Sequence, residues 1–324
     1  FLEGLFLMPY LSGITIYPVK SLDGLRLSEA TVLPGGALMH DRRWRLVDNE
    51  GAVVNAKKNM RFHGIRASFE IEGIEGNGSN FFTERNFLTL SADAGALANC
   101  SSLKQQTFPL VPGNEGPCEW LSEALATEVF LQERVEGGFP DDRDAPGPTL
   151  ISYESLQEVA SWFRWTTEEA RRRFRMNFEV TTERENKKGA ALVQHADMMS
   201  GPFWEDSLAC PTSSRKIGDA NASEFFEPEY PAGEPRLFQI GSTLFQAAGV
   251  CRRCPVPERN SFTGKLSHLF RDSFEAFRLR RLPRSVEASD WTDFYRLGIN
   301  TKLRSDPGLV QVGMPLELMP QKNP

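Results

Sequence analysis

Apolar and polar residues alternate with a period of two along much of the first hundred positions, a pattern that predicts half-buried strands. Ser12 to Lys20 alternates in this way and meets Pro18, so Lys20 and Ser21 fall at a strand exit. A turn at Asp23-Gly24 leads into a second strand, Leu25 to Leu33, completing a hairpin. His40 to Val47 predicts another strand, turned at Asp48-Asn49-Glu50-Gly51 and returning as Ala52 to Ala56. Phe69 to Gly73 and Phe87 to Ser91 extend the pattern, so one small sheet or barrel of hairpins is expected.

The period then changes. Trp120, Leu121 and Leu125 recur at helical spacing between Gly116 and Ala126, before a strand at Glu128 to Gln132. Glu136 to Pro148 is dense in Gly, Pro and charge and predicts a linker or mobile loop. Next come a short apolar run, Thr149 to Ser152, and a helix, Ser155 to Phe163, which Ser152 is expected to cap. A further helix, Thr167 to Arg173, has Thr167 as its expected N-cap and Glu168 and Glu169 in its first turn. Arg171 to Val180 passes from that helix into a strand, and 201–233 is irregular. Arg236 to Val250 is apolar and β-prone with a Gly241-Ser242 break, which predicts a hairpin carrying Cys251 and Cys254 to a strand end. Pro255 and Pro257 predict an extended exit. The remainder predicts a basic helix around Phe270 to Arg281, a short helix with Trp291 and Tyr295, and a closing strand pair, Leu309 to Leu318, turned at Gly313. The class is α+β and β-rich, in three parts: a first unit at 11–135, a linker at 136–148 and a second unit at 149–320. Trp44, Trp120, Trp204 and Phe238 are assigned to the core.

A chain of 324 residues is long enough to bury a core without staples. Its net charge of −6 argues against a broad nucleic-acid footprint. Five cysteines, with Cys100, Cys118 and Cys210 scattered, argue against a disulfide framework and favour a reducing, cytoplasmic compartment over secretion. The apolar start, Phe1 to Pro9, is broken by Glu3 and falls short of the roughly 20 residues of a spanning helix. A targeting segment upstream stays open, because the chain begins without methionine.

The chemistry concentrates at Cys251-Arg252-Arg253-Cys254. Two arginines between two thiols predict a neighbourhood that favours thiolates, which serve as soft metal ligands or nucleophiles. Alone, the motif is open to half a zinc site or a redox pair. Zinc would need two further ligands, and His40, His63, His195 and His268 show no metal spacing. A thioredoxin-like pair would need a helix where Pro255 and Pro257 stand. Lys20 and Arg42, taken alone, read as solvated strand-end charges, and Arg171 to Arg173 as charges at a helix end.

Three stretches together resemble proteins with a molybdenum cofactor sulfurase C-terminal (MOSC) domain preceded by an N-terminal MOSC β-barrel domain. They are Tyr17-Pro18-Val19-Lys20-Ser21 with Asp41-Arg42-Arg43-Trp44, Phe174-Arg175-Met176-Asn177, and Cys251 to Cys254 followed by Thr263-Gly264. Order and spacing agree from about Ser12 to Leu318, and the arrangement is most similar to the mitochondrial amidoxime-reducing components and their bacterial counterparts. The resemblance implies a barrel-like first domain, a MOSC-type barrel with peripheral helices, and a molybdenum-pterin enzyme that removes oxygen from N-hydroxylated compounds. It implies Cys254 as the catalytic molybdenum ligand, Lys20, Ser21 and Arg42 around the pterin phosphate, and Arg175 and Asn177 at matching cofactor positions. It leaves Cys251 without a role. A departure follows the cysteines, where Pro255-Val256-Pro257-Glu258-Arg259 replaces the Ile-Leu-Thr-Thr type of run and alters the pocket wall. No flavin motif or nicotinamide fingerprint accompanies these motifs, so an external electron donor is expected, a cytochrome b5 system or a ferredoxin-type protein. The basic run Arg278 to Arg284 is a candidate dock for it, or a solvated helical face. The alternative function is a carrier of the molybdenum cofactor, or of its sulfur, without turnover of its own.

Overall fold

Hydrophobic alternation becomes strand at most of the expected places in the computed structural model, which describes residues 8–71, 86–93, 103–111, 114–182, 199, 201–209, 236–283, 286 and 288–319. The first half supplies β1 (Tyr10–Ile16), β2 (Leu25–Leu27), β3 (Glu29–Val32), β4 (Trp44–Val47), β5 (Val53–Val54), β6 (Ile65–Glu70), β7 (Phe87–Ala92), β8 (Gln106–Pro109), α1 (Gly116–Leu125) and β9 (Phe130–Glu133). The second half supplies β10 (Leu150–Ser152), α2 (Tyr153–Trp162), α3 (Thr167–Phe174), β11 (Phe178–Thr181), α4 (Asp206–Ala209), β12 (Leu237–Ile240), β13 (Thr243–Arg252), α5 (Phe270–Arg280), β14 (Arg296–Leu303), β15 (Gly308–Gln311) and β16 (Leu316–Leu318).

One eight-stranded sheet, in the order β16-β12-β13-β14-β10-β11-β1-β2, dominates. β1 lies inside it, with Ile14 opposite Leu27 on one side and Phe178 on the other. The parallel pair β10 and β11 needs a crossover, which α2 and α3 provide. Small sheets β5-β4-β9, β6-β7-β8 and β15-β3 complete the described strands. The fold is α+β and β-rich, but the ladders form open sheets, and the first hundred residues are divided among all four sheets. Curling is nonetheless visible where the approach to β16 returns to β1, through a bridge between Tyr10 and Pro315 and a bond from Leu11 N to Met314 O of 2.9 Å.

Three apolar clusters hold these layers. Leu11, Ile14, Phe178, Phe238, Phe245 and Ile299 fill one side of the large sheet. Val19, Trp44, Leu46, Phe62, Leu88 and Trp120 fill the small-sheet unit, and Ile151, Leu156, Phe174, Phe270, Phe274 and Tyr295 pack beneath α2, α3 and α5. Each large side chain fully buried in this way contributes about 1.5–3 kcal/mol. Trp44, Trp120, Trp204 and Phe238 are all buried, as their assignment to the core requires.

Several local expectations give way to tertiary context. The closing strands do not pair with each other: β15 runs antiparallel to β3, and β16 to β12. Trp291 and Tyr295 share no helix; only a 3-10 turn, Ala288–Asp290, precedes them, and their rings enter two different clusters. Thr166 rather than Thr167 caps α3, its hydroxyl accepting from Glu169 N at 3.1 Å, whereas Ser152 caps α2 as expected. Beyond the cysteines the prolines admit a short 3-10 turn, Val256–Glu258, with Pro255 before it. Cys100, Cys210, His195 and Arg284 lie outside the described residues, as does most of 201–233.

Arg278 is no surface cation. It is fully buried, pairs with Asp206 at 2.5 Å, donates to Arg296 O at 2.9 Å and lies 4.1 Å from the Phe203 ring. Beside this pair stands Glu205, also fully buried, near the hydroxyls of Ser155 and Ser152. Burial first and the Asp206 charge second push its pKa from 4.5 up to about 7. Arg278→Met strips Asp206 of its counter-ion and is expected to cost about 3–5 kcal/mol, read as a lower urea midpoint, part of which the added change Asp206→Asn recovers. Between pH 4.5 and about 7 the folded protein holds a Glu205 proton that the unfolded chain has released, so stability falls as pH rises through that window. Glu205→Gln is expected to flatten this slope in melting curves compared at about pH 5 and about pH 8.

Candidate functional site

Two segments of the first unit are zipped together by backbone bonds. Arg42 N donates to Tyr17 O at 2.9 Å, Trp44 N to Pro18 O at 3.0 Å, and Lys20 N to Trp44 O at 2.9 Å. Pro18, which has no N–H, serves here only as acceptor. The zipper brings Lys20, Ser21 and Arg42 to one place, although they lie on separate predicted strands. Asp141 joins them from the breaker-rich 136–148 segment: its two carboxylate oxygens lie 2.8 Å from Lys20 Nζ and 3.1 Å from Arg42 Nε. Burial would raise the Asp141 pKa, but Arg42 and Lys20 hold it well below the usual carboxylate range. Burial likewise works against the Arg42 charge, and Asp41 and Asp141 more than offset it. The segment is no free linker. Phe139 N bonds to Arg42 O, Lys20 Nζ to Phe139 O, and a Cβ on Gly138 would stand 2.5 Å from Asp41 O.

Arg175 follows α3 as its C-cap, with a left-handed φ of 55° where glycine is the common occupant. Its guanidinium lies 4.0 Å from the Tyr17 ring, and no carboxylate among the described residues forms an ion pair with it. Burial therefore lowers its pKa. Ser21 and Arg42 also have left-handed backbones, with φ of 74° and 51°. Each such non-glycine residue costs roughly 1–2 kcal/mol, and outliers of this kind cluster at working sites. Ser21 Oγ accepts from Ala56 N at 3.1 Å.

Asn177 is a brace. Its Oδ1 accepts from Thr149 N and Oγ1 at 3.2 and 3.0 Å, and its Nδ2 donates to Thr15 O at 3.0 Å. It is 2% exposed and does not line the cavity. The side chain ties β1 to the start of β10, two residues from Arg175.

The cysteine hairpin forms from β12 and β13, and a register shift between Val250 and Arg252 precedes its last pair with β14, Arg252 opposite Arg296. Cys251 is buried and donates to Asn300 Oδ1 at 2.9 Å. Burial pushes its thiol up to about 12, against the pull of Arg253, so the shared-thiolate expectation fails for this residue. Cys254 lies past the strand, half-buried. Arg253 donates to Phe174 O and, at 3.5 Å, to Met176 Sδ, again with no carboxylate partner among the described residues. Gly264 of the Thr263-Gly264 pair has φ of 67°, and a Cβ there would stand 3.0 Å from Met60 O, so glycine is required where this loop packs on the 60–63 turn.

Lys20, Ser21, Arg42, Arg175 and Cys254 all line one cavity of about 460 Å³ between the two halves of the chain. Sequence patterning missed His63, Arg66, Asp141, Arg172 and Asn300, which line it as well. Burial, with Arg259 and Arg175 nearby, lowers the His63 pKa to about 4, so its ring is neutral. Among the described residues no group of three His, Cys, Asp or Glu side chains could hold a metal ion.

Residues 8–127 match the family of the MOSC N-terminal beta barrel domain. The chain is 26% identical over 278 residues to a molybdenum cofactor sulfurase of Drosophila yakuba and 25% identical over 279 residues to one of Drosophila melanogaster. Each alignment covers 81% of this chain and 29% of the relative, so the chain spans less than a third of the length of these proteins. Residues 8–127 are therefore a MOSC N-terminal beta barrel domain.

Proposed function

We propose that the chain binds a molybdenum-pterin cofactor, with Cys254 as the protein ligand to the metal, and removes oxygen from N-hydroxylated compounds. One observation carries this reading: Cys254 shares a single cavity with Lys20, Ser21, Arg42 and Arg175. The donor set suits the group. One soft thiol is available for molybdenum, while the cations and the Ser21 hydroxyl are hard donors of the kind a phosphate needs. Arg175 supports the fit, since a buried guanidinium without a carboxylate favours an anion from outside the chain. Asp141 would yield its place to that phosphate, because its oxygens already lie where an anion bridges Lys20 and Arg42.

Bound molybdenum would supply a centre able to take up an oxygen atom. The balance is simple: an N–OH compound, two electrons and two protons give the N–H compound and water. The electrons come from an external one-electron carrier, a cytochrome b5 system or ferredoxin-type protein by resemblance. The chain would orient the cofactor through its phosphate, keep Cys251 protonated and bound to Asn300, and present neutral His63 to the reacting region. A second reading, supported by relatives named molybdenum cofactor sulfurase, is a module that holds the cofactor without turnover. Molybdenum present with no amidoxime reduced, reduced viologen being supplied, would favour it.

In protein from a host that makes molybdopterin, metal analysis is expected to find about one molybdenum per chain. Cys254→Ala is expected to abolish reduction of benzamidoxime, whereas Cys251→Ala keeps its metal. Lys20→Ala or Arg42→Ala removes a charge-assisted bond, and pterin affinity is expected to fall by about tenfold or more, measured as pterin retained after dialysis. Arg175→Gly relieves a left-handed penalty of roughly 1 kcal/mol or more together with a desolvated charge. Its cofactor-free form is expected to melt no lower than wild type, while its pterin retention falls. Metal-free protein from a competent host would overturn the reading.

A further inference from the structure

We infer that the N-hydroxylated compounds reduced by this protein carry a carboxylate, which Arg66 and Arg172 hold in the cavity that Cys254 lines. The inference rests on the reductase reading and names its substrate class.

The cavity is cationic far beyond the needs of one phosphate. Ten Lys and Arg residues line it against three Asp, in a chain whose net charge is −6. Three of these cations are matched by carboxylates outside the lining, Arg173 by Glu169, Arg252 by Asp293 and Arg42 by Asp41. Two groups in the lining are each a pair of cations around one aspartate. Lys20 and Arg42 around Asp141 form the group assigned to the pterin phosphate. The second is Arg66 and Arg172 around Asp23, at 3.5 and 2.9 Å. Arg175 lies within electrostatic reach of both aspartates.

The second group is built to accept another anion. Arg66 Nε is buried and has no hydrogen-bond partner among the described residues. Both guanidiniums lie against the Phe262 ring, at 5.2 and 4.5 Å, which restrains their planes. Arg172 Nε also reaches Ser261 Oγ at 3.3 Å, and Arg66 bonds to Ser261 O at 3.3 Å, so the loop after the cysteines fixes the pair. Two guanidiniums sharing one carboxylate retain donors for a second, in the planar geometry that carboxylates match. His63, whose backbone oxygen also accepts from Arg66, is 8% exposed and has no hydrogen-bond partner at Nε2.

The test compares benzamidoxime with 4-carboxybenzamidoxime on molybdenum-loaded protein with reduced viologen, and benzoate with benzamide by calorimetry on molybdenum-free protein. The carboxylated substrate is expected to have a KM at least about tenfold lower, and benzoate to bind at least about tenfold tighter than benzamide. Arg66→Gln and Arg172→Gln, two independent variants, should each bring both ratios close to unity. Equal KM values together with equal binding of benzoate and benzamide would overturn the inference, as would Arg66→Gln and Arg172→Gln proteins that leave both ratios intact. Failure of both amidoximes to react would overturn the reductase reading, and the calorimetric arm would still decide the carboxylate site.

Discussion

The pairing of β1 with β11 is the constraint on which the rest of the structure depends. It places Tyr17, at the end of one strand, beside Arg175, which precedes the other, with Tyr17 Oη donating to Met176 O at 3.3 Å. Asn177 locks that junction by bonding to Thr15 and Thr149 together. From there the chain runs through Pro18 to Lys20 in one direction and back through α3 in the other. The cavity exists because a strand from the beginning of the chain is laid inside a sheet made mostly by its second half. A change that loosened Asn177 would therefore disturb the site without touching anything in it, as expected of a positioning residue.

Concentrated positive charge has a cost that the local architecture offsets in different ways. Arg42 is held by two aspartates and Arg173 by Glu169 and Pro257 O, while Arg171 turns away from the cavity to Glu179. Where no acid is supplied, as at Arg175 and Arg253, aromatic faces and backbone oxygens stand in. Those substitutes are weaker than carboxylates, and the remaining imbalance is what an anionic ligand would relieve. The same logic explains why Asp141 bridges Lys20 and Arg42: one carboxylate held by two cations offsets part of their repulsion.

What could be read from sequence was local, and what could not was a matter of partners. A period of two identified β15 and β16 as strands, yet periodicity carries no information about which strand lies alongside, so their pairing with β3 and β12 was hidden. Trp291 and Tyr295 have helical spacing by coincidence, each ring serving a different cluster. Lys20, Arg42 and Cys254 were legible because contiguous motifs carry them. Arg66, Arg172 and His63 were not, since no motif surrounds them and only the tertiary fold brings them to the cavity. The run Arg171 to Arg173 shows why. Successive positions on a helix point about 100° apart, so three adjacent arginines reach Glu179, Asp23 and Glu169, three unrelated destinations.

The two cysteines illustrate how burial overrides sequence neighbourhood. Arginines between them suggest two thiolates, but one sulfur lies in the third apolar cluster and the other beyond the strand end. Desolvation of Cys251 exceeds the pull of Arg253, so the proton stays on its sulfur and is shared with Asn300. A site that needed both sulfurs, as zinc or a redox disulfide would, is at odds with such unequal environments. A site that needs one thiolate, with its remaining ligands brought by a pterin, is what this asymmetry suits.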